Sequence, residues 1–147
     1  MTGLSPTPPD LPPAPPGQPP AVVRGAVAVW FALGAFLLLE NLVLWLRRAE
    51  LERAAVRAGD DPAAIPGLLT QLTVVAVGLA IGYGLFGWLL RKGRRWARGV
   101  LTAVGVLHVL WIVLPGASAV NLVTLLLIGV GLAFTWLPGT AQWVKQH

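Results

Sequence analysis

The chain has 147 residues, of which 56% are hydrophobic and 12% are charged. Soluble domains carry about twice that share of charged residues, so the composition excludes an ordinary soluble protein and indicates an integral membrane protein. The formal net charge is +5, and the absence of cysteine excludes disulfides, thiol catalysis and cysteine-ligated metal sites.

The first 20 residues contain nine prolines. Proline fixes φ and removes a backbone donor, so residues 1–21 are expected to form a disordered, proline-rich tail in the cytoplasm. P-x-x-P frames suit docking to a proline-recognising partner, and the same composition suits an unstructured tether. The sequence leaves both roles open.

Four apolar segments follow, and they predict an all-α, integral membrane four-helix bundle over residues 22–137. The first runs for 22 residues, or about 33 Å at 1.5 Å per residue, which is enough to cross a bilayer core. The predicted spans are 25–46, 68–90, 97–114 and 119–137, and residues 138–147 are expected to be a short C-terminal tail. Leu137, Pro138 and Gly139 should stop the last span.

The loop after the first span contains good helix formers and mixed charge, so the helix should continue out of the bilayer. Gly59 is a suitable residue to end it. Asp61 followed by Pro62 is typical of an N-cap and the first position of a short turn.

Orientation follows from the lysines and arginines in the short loops. The dense basic loop between the second and third spans indicates that this side faces the cytoplasm, so we expect a multi-pass protein of the cytoplasmic (inner) membrane with both termini inside. The loop also suits anionic lipid headgroups, and no soluble basic face is available for nucleic acid. Its cations are Arg91, Lys92, Arg94, Arg95 and Arg98.

Polar residues inside membrane spans are natural candidates for function. Counting from the span ends places all the strongly polar ones in the half of the membrane away from the basic loop. The predicted polar cluster comprises Glu40, Asn41, Gln71, His108 and Asn121. We expect Glu40 and His108 to form a buried pair. The pair would act either as a proton or cation relay or as a hydrogen-bonded contact that stabilises the packing of two helices.

Helical spacing predicts two packing faces. Gln71, Gly78 and Gly82 share one face of the second long span, and Gly78 and Gly82 form a G-x-x-x-G pattern that lets helices approach closely. The sequence does not decide whether that contact lies within one bundle or between subunits. Asn121, Thr124, Gly131 and Thr135 share a face of the last span, so Gln71 and Asn121 should both point inward. Tyr83 is interpreted as a packing residue.

Familiar catalytic motifs are missing from the sequence. It has no H-E-x-x-H, no G-x-S-x-G and no Walker A pattern, and its two histidines are too few for a histidine-rich metal site. We therefore predict no enzymatic activity, no metal and no cofactor. The expected role is a non-enzymatic accessory or interaction protein, and the sequence leaves open whether its partner is a second copy of the chain in a homo-oligomer or another membrane protein. The alternative is a small proton-coupled transporter or channel subunit using Glu40 and His108.

The pattern resembles uncharacterised small four-span membrane proteins of actinobacteria. The likeness is carried by the proline-rich tail, by Asp61-Pro62-Ala63 after the first span and by G-R-R-W-A-R at 93–98. It implies the architecture and no activity. Glu40, in L-L-L-E-N-L-V-L-W, is also similar to the first-helix glutamate of the small multidrug resistance transporters, a likeness that implies the transporter role and a dimer. The residues around Glu40 differ from that family's motif.

Overall fold

The computed structural model describes residues 18–113 and 119–146. Most of the predicted disordered tail (residues 1–17) and the turn at 114–118 lie outside the described residues. Six α-helices follow one another, and the described ranges contain no strand, which confirms the all-α prediction. They are α1 (Ala21–Leu46), α2 (Arg48–Ala58), α3 (Ile65–Arg91), α4 (Arg95–Val113), α5 (Ala119–Trp136) and α6 (Pro138–Gln146), with a 3-10 turn at Pro62–Ala64 before α3.

Three segments are long and apolar enough to cross a membrane. They are α1, the 30 residues Pro62–Arg91 that include α3, and α4. A fourth span results if α5 and α6 are taken as one segment, which is bent by 54° where Pro138 follows the end of α5. The chain is therefore a helical membrane protein with three or four candidate spans.

The segment predicted as a short C-terminal tail differs from the expectation, because residues 138–146 form helix α6. Pro138 does end α5 as expected, since a proline has no N–H to continue the helix. Proline is nevertheless well suited to the first position of a new helix, where an N–H would lack an intrahelical partner. The same residue that stops one helix thus starts the next.

The predicted continuation of the first helix is interrupted at Arg47, where α1 ends and α2 begins, whereas the end of α2 and the turn after it are built as predicted. Gly59 has a φ of +84° and ends α2 in the left-handed conformation. The Asp61 carboxylate accepts a hydrogen bond of 2.9 Å from the backbone N–H of Ala63, and Pro62 occupies the first position of the 3-10 turn. These two local signals set where α2 ends and where the segment leading into α3 begins.

The four long helices pack in a cyclic order. α1 contacts α3 and α5, and α4 also contacts α3 and α5. The inward stripe of α3 is spaced at seven residues, which keeps its members on one side of the helix. Its members are Leu69, Ala76, Tyr83 and Leu90, and Gly87 is buried beside Tyr83, one turn further along.

The close helix approaches do not occur at the predicted G-x-x-x-G. A methyl group added to Gly78 or Gly82 would meet nothing within 4 Å, so neither glycine packs against another part of the described chain. The close approach between α1 and α3 is at Gly34 instead, where an added methyl would lie 3.4 Å from the Ala80 backbone. A contact between subunits at Gly78 and Gly82 stays a prediction.

Candidate functional site: a polar cavity between the helices

A cavity of about 210 Å³ lies between α1, α3, α4 and α5. Its wall is largely apolar, and five polar side chains interrupt it. These are Glu40, Asn41, His108, Asn121 and Thr124. The cavity therefore brings together four of the five residues of the predicted polar cluster, from three different helices.

Gln71, the fifth member, does not join them. Its side chain is exposed, so the prediction that it points inward is wrong. The reason is the rotation of α3 about its axis. Gln71 lies two residues from Leu69, and two residues turn a helix by about 200°, which places Gln71 opposite the inward stripe. Gly78, seven residues further along, is exposed on the same outer face.

The inward face predicted for α5 is confirmed. Thr124 and Thr135 are almost completely buried, Gly131 is buried, and Asn121 is partly buried. Asn121 and Thr124 reach the cavity, whereas Gly131 and Thr135 lie further along the helix against Trp30. One face of α5 thus serves both the polar cavity and the packed core.

Glu40 and His108 line the same cavity, but the predicted pair between them is not formed. Among the residues that the structure describes, Glu40 has no hydrogen-bond or ion-pair partner. His108 is bonded through its Nδ1 atom to the Tyr83 hydroxyl, at 2.9 Å. The imidazole is therefore held by α3 rather than by the carboxyl group on α1.

Tyr83 and Trp30 were missed as site residues, and they hold His108 in place. Tyr83 is fully buried and stacks on Trp30, with ring centroids 5.1 Å apart. The Trp30 indole N–H donates to Thr135 Oγ1 at 3.0 Å, and that hydroxyl donates to the Gly131 carbonyl at 2.7 Å. Through Thr135, Trp30, Tyr83 and His108, a continuous set of contacts joins α5, α1, α3 and α4.

Two signals in the sequence point to these residues. Tyr83 belongs to the seven-residue repeat of α3, and Trp30 is nine residues from the start of α1. By contrast, Trp45, Trp88, Trp96 and Trp136 lie within two residues of a predicted span end. A tryptophan inside a span needs a partner for its N–H, because lipid tails offer none. A hydroxyl or carbonyl on a neighbouring helix is the expected partner.

Asn41 is tied to α3 at the edge of the cavity. Its side-chain oxygen lies 3.0 Å from Thr73 Oγ1, and the Trp45 indole N–H donates to the same hydroxyl at 2.8 Å. Thr73 Oγ1 also lies 2.8 Å from the Leu69 carbonyl. A hydroxyl has a single proton, so Thr73 donates to one of these two oxygens at a time. This group joins the last turns of α1 to the start of α3.

The basic loop divides into two sets of cations. Arg95 donates to the carbonyls of Val144 and Lys145, both at 3.0 Å, and so satisfies the free C-terminal carbonyls of α6. Arg98 donates to the Thr135 carbonyl at 3.1 Å and lies over the Trp136 ring at 4.5 Å. Arg95 thus joins α4 to the C-terminal end of α6, and Arg98 joins α4 to the end of α5 beside the bend.

Pro138 interrupts the backbone hydrogen bonds between α5 and α6, so side chains donate to the carbonyls at the end of α5. Pro138 has no N–H for the Phe134 carbonyl, and the Thr140 hydroxyl donates to that carbonyl instead, at 2.9 Å. The remaining basic-loop cations, Arg91, Lys92 and Arg94, have exposed side chains. Lys92 lies 3.8 Å from the centroid of the Trp88 ring, and this exposed set remains the part of the loop suited to lipid headgroups.

Replacing Arg98 by alanine is expected to lower the free energy of unfolding by about 1–2 kcal/mol, because a partly buried carbonyl loses its charged donor and a cation–π contact is lost. Unfolding by dodecyl sulfate in mixed micelles measures the effect. Arg94→Ala is the matched control, since Arg94 is exposed, and its effect should stay within roughly 0.5 kcal/mol. Equal effects of the two substitutions would contradict this role for Arg98.

No protein family, no curated protein and no solved structure matches the chain. The resemblance to actinobacterial four-span proteins and the likeness of Glu40 to a transporter glutamate therefore stay predictions. What the site can do follows from its own residues: it presents a carboxyl group, an imidazole, two carboxamides and a hydroxyl inside an otherwise apolar wall.

Proposed function

We propose that the chain is a four-helix bundle of the cytoplasmic membrane with both termini in the cytoplasm, in which α1, α3, α4 and α5 are the spans and α6 lies along the cytoplasmic boundary. Seven lysines and arginines fall on that side and four on the other, which supports this orientation. The seven are Arg24, Arg91, Lys92, Arg94, Arg95, Arg98 and Lys145, and the four are Arg47, Arg48, Arg53 and Arg57.

Within this arrangement we propose a non-enzymatic role, in which the polar cavity binds a small polar molecule in the outer half of the membrane, as an accessory subunit would. The observation that carries the proposal is the gathering of Glu40, Asn41, His108, Asn121 and Thr124 around one space of about 210 Å³. Ligand sites combine an apolar wall with a few polar groups that orient the ligand. Placing polar side chains inside a membrane is energetically costly, so such residues are natural candidates for packing or binding roles.

An open groove between α3 and α4 adjoins this cavity on the side of the surrounding lipid tails. This groove of about 260 Å³ shares Val75, Leu79, His108 and Trp111 with the polar cavity, and its remaining lining is Val104 and Leu107. Trp111 and Leu107 are 59% and 66% exposed, so the groove opens at the outer surface of the helices. The proposal includes entry of the bound molecule through this groove.

The second candidate function is a small proton-coupled transporter or channel subunit. It is favoured by the presence of Glu40, a carboxyl group without a partner among the described residues, in the same cavity as His108. The two candidates share the binding site and differ in whether the bound species crosses the membrane. Flux of protons or solute into proteoliposomes, compared for wild type and Glu40→Gln, separates them.

Blocking the cavity tests the proposed binding. Val75 lines both the polar cavity and the groove, so Val75→Trp places a large side chain in the binding space. Val77→Trp is the control on the same helix, because Val77 lines neither of them. The two valines are 39% and 41% exposed, so both substitutions cost the fold about equally. The probes are acetamide, ethylammonium and acetate, which are similar in size and differ in charge and hydrogen bonding.

A molecule that binds the folded state alone raises the melting temperature. We expect at least one of the three probes to stabilise the detergent-solubilised protein and the Val77→Trp variant, and to lose that effect in Val75→Trp. If every probe acts equally on the two variants, the cavity does not bind small polar molecules and the proposal fails.

A further inference from the structure

We propose that Tyr83 fixes His108 in the tautomer that carries its proton on Nε2, and that the cavity is consequently a donor–acceptor site for a small neutral molecule such as a primary carboxamide. This inference rests on the proposed function, because it names the class of molecule that the same cavity binds. It concerns a positioning residue, Tyr83, which does not itself line the cavity.

The first step is the direction of the bond between Tyr83 and His108. Tyr83 is completely buried, and the His108 Nδ1 atom is the one acceptor within reach of its hydroxyl proton among the described residues. If Nδ1 carried a proton, the bond would reverse and the tyrosine proton would be left buried without an acceptor. A buried unsatisfied donor is more costly than a lost hydrogen bond. Tyr83 therefore donates and Nδ1 accepts.

The second step follows from the chemistry of imidazole. In a neutral histidine one ring nitrogen carries the proton and the other accepts, and the bond made by one nitrogen decides the state of the other. With Nδ1 occupied by the tyrosine proton, Nε2 carries the N–H. Nε2 has no hydrogen-bond partner among the described residues, and none of their unpartnered side-chain nitrogens is closed off, so Nε2 is accessible. His108 lines the polar cavity and the adjoining groove, so the accessible Nε2–H is a donor for a molecule bound there.

The third step is the pairing across the cavity. Among the described residues that line the cavity, Glu40 is the one carboxyl group, and no lysine or arginine accompanies it. Its carbonyl oxygen accepts hydrogen bonds in either protonation state. A ligand that lies between Glu40 and His108 is best matched when one of its groups donates to Glu40 and another accepts from Nε2–H. A primary carboxamide does both without bringing a charge into the membrane.

The surroundings make this arrangement rigid. Tyr83 is held by its stack on Trp30, whose N–H is bonded to Thr135, and both of those residues are fully buried. Rotation of Tyr83 away from His108 would break the aromatic stack as well as the hydrogen bond. The tautomer is therefore imposed by packed core residues and does not depend on a ligand.

Nitrogen NMR of histidine-labelled protein tests the tautomer directly. His147 is the only other histidine, and His147→Ala leaves a single labelled ring. We expect the wild-type spectrum to show a proton on Nε2 and none on Nδ1, and Tyr83→Phe to give a mixture of both tautomers. Phenylalanine preserves the ring that stacks on Trp30, so a role in packing alone would leave the tautomer unchanged. A proton on Nδ1 in the wild type, or no change in Tyr83→Phe, overturns the inference.

The ligand class is tested with the same three probes. We expect acetamide to stabilise the protein more than ethylammonium or acetate, and Tyr83→Phe to lose about fivefold in apparent affinity for acetamide, corresponding to one hydrogen bond. If ethylammonium or acetate gives the larger effect and Val75→Trp abolishes it, the proposed function stands and this inference fails. If no probe distinguishes Val75→Trp from Val77→Trp, the proposed function itself fails. The NMR experiment tests the His108 tautomer independently of these probe results.

Discussion

Replacing Trp30 by alanine is expected to lower the free energy of unfolding by about 3–5 kcal/mol, the range for removing a large aromatic side chain from a closed core. Trp30 is completely buried at the centre of the contacts between α1, α3 and α5. Its removal leaves a cavity against Gly131 and Gly105, deprives Tyr83 of its stacking partner and takes the donor from Thr135. In a membrane protein the lost dispersion contacts are the main term, since lipid tails are as apolar as the core.

The measurement is unfolding by dodecyl sulfate in mixed micelles, followed by the helical signal in circular dichroism. Trp111→Ala is the control, because Trp111 is 59% exposed at the rim of the cavity and the groove, so its removal should cost less than about 1 kcal/mol. Similar losses for the two tryptophans would show that Trp30 does not organise the core.

Adding a single methyl group at Gly131 is expected to lower the free energy of unfolding by about 1–3 kcal/mol relative to the same change at Gly129, the usual range for overpacking. A Cβ atom at Gly131 would lie 3.1 Å from Trp30 Cε2 and 3.2 Å from Cζ2. Trp30 has little freedom to withdraw, because its ring is stacked on Tyr83 and its N–H is bonded to Thr135.

Gly129→Ala isolates the effect of helix propensity. Gly129 is on the same helix, and an added methyl there meets nothing within 4 Å, so the substitution should be neutral or stabilising by up to about 1 kcal/mol. Combining Gly131→Ala with Trp30→Phe supplies a second check. Phenylalanine lacks Cζ2 and the rest of the second indole ring, and its smaller ring has room to move away from the new methyl group. The double variant should therefore be more stable than the sum of the two single effects predicts. Strict additivity would mean that the methyl group is accommodated elsewhere.

The helical segments and their ends could be predicted closely from the sequence. Predicted spans at 25–46 and 68–90 correspond to α1 at Ala21–Leu46 and α3 at Ile65–Arg91, and Gly59 and Asp61 act as predicted. Helix α6 was missed, because a short segment after a proline and a glycine is read as a tail. The last carbonyls of α6 accept hydrogen bonds from Arg95, which is about 50 residues away in the sequence and so is not visible in the local pattern.

The depth of each site residue in the membrane could be predicted from the sequence. The direction in which its side chain points around the helix axis could not. Counting residues from the span ends placed Glu40, Asn41, His108 and Asn121 at one level of the membrane, and all four line the cavity. The same counting placed Gln71 with them, although its side chain points outward. Depth follows from the fixed rise per residue, whereas the angle depends on which side of a helix meets its neighbours. In a helix that is apolar all round, composition does not reveal that side.

The sequence by itself determined that this is an all-helical membrane protein, because hydropathy over a span and the local effects of proline, glycine and capping residues are properties of short segments. Only the tertiary structure decided that His108 pairs with Tyr83 rather than Glu40, that Trp30 closes against Gly131, and that Arg95 and Arg98 hold α5 and α6. Each of these contacts joins residues more than 20 positions apart. Such contacts depend on the rotation and spacing of packed helices, which are set by how large and small side chains fit together across the whole bundle.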